Sequence, residues 1–87
     1  MELQNVRYFL ALFEEENFGR AAKRCGIAQP SLTNAIRRLE QHVGGTLFLR
    51  RPRVQPTPLA VALKPHFEKA ISAIQLAQQA ANQALAR

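Results

Sequence analysis

The segment from Phe18 to Glu40, FGRAAKRCGIAQPSLTNAIRRLE, constrains the fold more than any other part of the chain. Ala21 and Ala22 are small enough for two helix backbones to approach closely. Four residues after Ala22, Gly26 supplies the backbone conformation that a sharp turn between helices needs. Ile27 plugs that turn, and Gln29-Pro30 opens a second helix with Leu32, Ile36 and Leu39 facing inward. This is the layout of a helix-turn-helix, whose second helix is built to enter a DNA major groove.

Charge follows the same segment. Between Arg20 and Arg53 stand Arg20, Lys23, Arg24, Arg37, Arg38, Arg50, Arg51 and Arg53, against Glu40 alone. That stretch carries +7 while the whole chain of 87 residues carries +6, so the flanks together come to −1. A solvated surface intersperses both signs; concentration of one sign around a turn motif points to a polyanion. The length suits one small domain.

The first residues, MELQNVRYFLALFEEE, hold only a short apolar run before Glu14, Glu15 and Glu16, which fits neither an export signal nor a membrane span. The single cysteine, Cys25, has no internal partner and falls on the inward side of its helix, where a thiol serves as a small apolar group. A reducing cytoplasm is the expected compartment.

Periodicity predicts four helices and one irregular basic segment. The first helix runs from about Leu3 to Glu15, with Val6, Phe9, Leu10 and Phe13 as its apolar stripe and Tyr8 and Leu12 beside it. Asn17 caps a second helix over Phe18 to Cys25, with Phe18, Ala21, Ala22 and Cys25 inward and Arg20, Lys23 and Arg24 outward. The third spans about Gln29 to Val43, starting at a proline that the first helical turn tolerates. Its outward set is Gln29, Ser31, Thr33, Asn34, Arg37, Arg38 and Gln41. Near its start, Gln29 suits adenine, Thr33 and Asn34 are less selective readers, and Pro30 offers an apolar edge to a thymine methyl. Arg37 and Arg38 lie a turn further on and suit phosphates, with Arg20 and Ser31 in the same backbone-contacting set.

Gly44-Gly45 ends the third helix, Gly44 in the usual position after the last turn. In TLFLRRPRVQPT, Leu47 and Phe48 close the core, while Arg50, Arg51 and Arg53 stand clear of it around Pro52. Two short strands joined by a basic turn make a wing, its sheet kept small by Pro52. Such an arm can place Arg53 in a minor groove, with Arg50 and Arg51 on the backbone. A basic loop touching only phosphates is the other reading.

Thr57-Pro58 is a helix start, and the last helix runs from there almost to Arg87, about 40 Å at 1.5 Å per residue. Leu63, Phe67, Ala70, Ile74, Ala77, Ala81 and Ala84 alternate four and three apart, a heptad seam suited to a second copy of the helix. With Ile71 and Leu85 broadening it, the stripe can serve the core at one end and a partner at the other. Wholly internal packing is the other reading. Pro65 predicts a bend or local irregularity.

The segments RYFLALFEEENFGRAAKRCGIAQPSLTNAIRRLE and GGTLFLRR resemble the N-terminal DNA-binding region of LysR-type transcriptional regulators, and the resemblance covers essentially the whole chain. Its most specific part is the spacing of Ala21-Ala22, Gln29-Pro30, Leu32, Ile36 and Leu39-Glu40, followed by Leu47-Phe48 and Arg50. The resemblance implies a mainly helical fold: a winged helix-turn-helix over residues 1–57 and a dimerising linker helix over 58–87. It implies base contacts by Gln29, Pro30, Thr33 and Asn34, and a minor-groove contact by Arg53. A homodimer joined through Leu63, Phe67, Ala70, Ile74, Ala77 and Ala81 reads an interrupted palindrome. The family's small-molecule effector binds a separate C-terminal domain, which these residues do not include. Against the family pattern, Ala28 replaces a capping Ser or Thr, Gly19 replaces a Ser or Thr that touches phosphate, and Ala60 replaces a glycine.

An enzyme is not expected: His42 and His66 sit on different helices without a nucleophile or carboxylate at suggestive spacing. Cys25, His42 and His66 form no metal-ligand pattern, and no cofactor is implied. The competing readings are a sequence-neutral nucleic-acid binder and a basic, dimerising interaction module. Only dependence on DNA sequence separates the first reading from these.

Overall fold

A computed structural model describes residues 1–86; Arg87, near which the last helix is expected to end, lies outside the described residues. The chain forms α1 (Leu3–Glu15), α2 (Phe18–Cys25), α3 (Gln29–Val43), β1 (Phe48–Leu49), β2 (Gln55–Pro56) and α4 (Pro58–Leu85). The strands are antiparallel, with Phe48 opposite Pro56 and Leu49 opposite Gln55. Mainly helical, with a two-stranded wing: the fold class expected from the sequence is the one observed.

Local chemistry sets the helix ends. Asn17 Oδ1 accepts the Arg20 N–H at 2.8 Å, capping α2. Gly26 ends α2 at φ 70° and Gly44 ends α3 at φ 85°, left-handed positions where a Cβ would be strained. Thr57 serves two elements: its hydroxyl accepts the Ala60 N–H at 3.2 Å, capping α4, and donates to the Thr46 carbonyl at 2.7 Å. The Thr57 N–H also donates to the Leu47 carbonyl at 2.9 Å, so the wing closes where α4 begins. Ala28, at the cap position before α3, provides no side-chain cap, as the sequence implies.

The core lies where α1, α2 and α3 meet beneath the wing and the start of α4. Phe9, Leu12, Leu32, Ile36, Leu39, Leu47 and Phe48 are its largest fully buried side chains. Phe9 is the hub: its ring lies 5.5 Å from that of Phe48 and 5.1 Å from that of Phe67, the latter edge-to-face.

Two sequence expectations change here. Leu12 and Ala11 are buried, while Leu10 and Phe13 are only partly so. The apolar arc of α1 turns further than its strongest stripe suggested because α2, α3 and α4 all pack on that helix. Phe67, placed on the seam for a second copy, is instead inside the protomer, where Phe9 takes its ring; Leu63 is half-buried at the edge of the same cluster. Pro65 sits within α4 and not at its end. Beyond Ile71 every described residue of α4 is exposed, and the molecule extends 54 Å along its longest axis.

Candidate nucleic-acid interface

The turn at Gly26 and the close packing of Ala21 and Ala22 set α3 against α2, with Leu32 and Ile36 in the core and the other face of its first turns exposed. Gln29, Pro30, Thr33, Asn34 and Arg37 line one shallow, open concavity there. Thr33 is half-buried and the other four are exposed. These are the four expected base readers with one of the two expected helix arginines. The start of α2 adjoins them: a Cβ built on Gly19 would stand 3.6 Å from Gln29 Oε1. A Ser or Thr at that position would thus stand beside Gln29.

Arg37 and Arg38, grouped as one phosphate grip from the sequence, diverge. Arg37 borders the concavity and, on its other side, a second dip formed with Glu40, Gln41, Gly44, Gly45 and Thr46. Arg38 turns toward the start of α1, sharing a depression with Glu2, Asn5, Gln41 and His42. Ser31 is exposed in the first turn of α3.

Two of the three cations of α2, Arg20 and Arg24, are tied to the end of α1. Arg24 reaches Glu14 at 2.7 Å and Glu15 at 3.3 Å. The Glu14 hydrogen bond and charge push the Arg24 guanidinium further above its ordinary range. Arg20 donates to the Glu15 carbonyl at 3.0 Å and lies 3.6 Å from its carboxylate. The acidic end of α1 therefore neutralises part of the positive charge read along the sequence. Among the described residues, Arg37, Arg38, Arg50, Arg51 and Arg53 form no ion pair, so positive potential is drawn toward α3 and the wing.

Arg51 and Arg53 are exposed at the wing tip. Arg50 is exposed too, but its guanidinium lies over the Phe18 ring, 4.6 Å from the centroid. Glu40, the lone acid of the basic stretch, holds the wing. One carboxylate oxygen accepts the Leu47 N–H at 2.7 Å. Helical periodicity carries no signal for either contact, since each joins different elements. Burial pushes the Cys25 thiol upward, consistent with a small apolar role at the rim of the core.

Three helices, a tight glycine turn, an exposed polar start to the third helix and an arginine-bearing two-stranded wing define a winged helix-turn-helix protein. Residues 3–61 match the family model described as bacterial regulatory helix-turn-helix protein, lysR family, and the chain belongs to that family. It is 51% identical over 63 residues to the transcriptional regulator TfdS of Cupriavidus pinatubonensis, covering 71% of this chain and 21% of that protein. It is 42% identical over 79 residues to the probable cat1 operon transcriptional activator of Acinetobacter lwoffii, covering 91% and 25%. This chain thus spans about a fifth to a quarter of the length of these relatives. The solved structure of the BenM DNA-binding domain with benA site 1 DNA superposes at a TM-score of 0.89 and 34% identity. That match covers 95% of this chain and 98% of the other.

Proposed function

We propose that this protein is a sequence-specific double-stranded DNA-binding regulator of bacterial transcription. The observation that carries this reading is the concavity of Gln29, Pro30, Thr33, Asn34 and Arg37 at the exposed start of α3, beside a wing whose arginines are unpaired among the described residues. Short polar side chains at the start of a projecting helix match the hydrogen-bonding edges of bases in a major groove. Similarity to a domain solved on DNA supports the same surface.

In this reading Gln29, Pro30, Thr33 and Asn34 meet bases. Arg37, Arg38, Ser31, Arg20, Arg50 and Arg51 meet backbone phosphates, and Arg53 reaches into the minor groove. Residues 1–57 form the DNA-binding unit. The helix from 58 joins two copies through Ala70, Ile74, Ala77 and Ala81, so that two half-sites are read together. The cytoplasm is the compartment, no chemistry is assigned to the chain, and small-molecule sensing is placed outside these residues. No helix among the described residues is long and apolar enough to cross a membrane.

Selection of bound duplexes from a random DNA pool, followed by sequencing, tests this. The expected result is an interrupted palindrome. Tight binding without a motif would replace the reading with a sequence-neutral binder, and no recovered DNA would leave a basic interaction module.

A further inference from the structure

Arg50 follows β1, at the point where the wing leaves the core, and its side chain is exposed and without an ion pair among the described residues. A long cation in that position ordinarily samples many rotamers, and it gives up that freedom when a ligand orders it. Here it is already placed. Its guanidinium lies 4.6 Å from the centroid of Phe18, the first residue of α2. The ring itself cannot follow the arginine. Phe18 is only 9% exposed, belongs to the core cluster, and begins a helix fixed by the Asn17 cap. One ring face is thus left as a rigid platform at the surface.

We propose that Phe18 is a positioning residue for DNA binding: its ring holds the Arg50 guanidinium at the junction of α2 and the wing, ready to meet a backbone phosphate. The proposal rests on the DNA-binding reading above. A planar guanidinium stacked on a ring keeps its N–H edges free to point outward, and those edges match phosphate oxygens. Lysine, a point charge on a flexible stem, keeps the charge without the planar stack. The aromatic ring therefore has a use beyond filling space, which an aliphatic residue of similar bulk cannot supply.

The test is a double-mutant cycle on the intact protein, using a labelled mixed-sequence duplex at low salt. Phe18→Leu is expected to weaken binding about two- to fivefold, the range of an exposed cation–π contact. The same change in an Arg50→Gln background is expected to cause no further weakening, and Phe18→Tyr is expected to restore wild-type affinity. In the free protein, the Arg50 side-chain resonances should carry a ring-current shift that Phe18→Leu removes. Arg50→Lys, which leaves the core intact, should by itself weaken binding about two- to fivefold, so the test stands even if Phe18→Leu is poorly folded. Equal weakening in both Arg50 backgrounds, or Arg50→Lys binding like wild type, would overturn the positioning role alone. Failure of the unmodified protein to bind the duplex would remove the DNA reading and this inference with it.

Discussion

The Glu40 carboxylate accepts the Leu47 N–H at 2.7 Å, so α3 and the wing are joined by a charge-assisted hydrogen bond. The donor belongs to a fully buried residue, and the same Glu40 oxygen lies 3.5 Å from the Phe48 N–H. Glu40→Ala leaves the Leu47 N–H without its acceptor and should cost about 1.5–3 kcal/mol in urea unfolding, the range for bonds to charged groups. Glu40→Gln keeps an acceptor and should cost less. If both variants unfold like wild type, the strand pair and the Thr57 bond to Leu47 hold the wing unaided.

Base readers and phosphate grips separate by their DNA dependence. Gln29→Ala or Asn34→Ala should reduce discrimination between operator and random DNA by about 1–3 kcal/mol for each bidentate pairing with a base that is removed. Arg37→Ala should weaken both DNAs alike and shrink the salt slope by about 0.9. Arg38 faces away from the concavity, so its effect on the slope reports whether the backbone curves around to the start of α1. Equal weakening on both DNAs for Gln29→Ala would exclude a base contact there.

Charge released from α2 should be visible in affinity. Glu15 holds Arg20 through its carboxylate and also contacts Arg24. Glu15→Gln adds one net positive charge and loosens both arginines. Affinity should rise at low salt, and the gain should shrink between ~0.01 and ~0.15 M salt, as the screening length falls from about 30 to about 8 Å. Unchanged affinity throughout would place Arg20 out of reach of the backbone.

Most helix bounds are legible in the sequence because each is written in local chemistry. Asn17 and Thr57 cap with their own side chains, and Gly26 and Gly44 take the left-handed turns that stop α2 and α3. The group at the start of α3 is legible for the same reason, its members being neighbours on one helix. What stays hidden depends on packing between elements. Nothing in the spacing of α4 says that Phe67 turns toward Phe9, because a heptad seam and a core-facing stripe share a period. Likewise, Glu14 and Arg24 are ten residues apart and meet only because α2 folds back on α1. The charge run looks uniform in sequence; the fold makes it uneven.

Removal of Phe67 from the seam concentrates the dimer proposal on the projecting half of α4. Ala70, Ile74, Ala77 and Ala81 are exposed there, and Ile74 is the one large apolar residue among them, at 48% exposure. Ile74→Glu should shift the protein from dimer to monomer in sedimentation velocity without lowering the midpoint of thermal unfolding of the three-helix core. DNA affinity should fall with it, since two half-sites read together bind far more tightly than one. Leu76 supplies the control. It is 62% exposed and two residues further on, about 200° around the helix from Ile74. Leu76→Glu should leave the dimer intact if the small-residue seam is the interface. A dimer that tolerates Ile74→Glu but not Leu76→Glu would move the contact to the opposite face of α4.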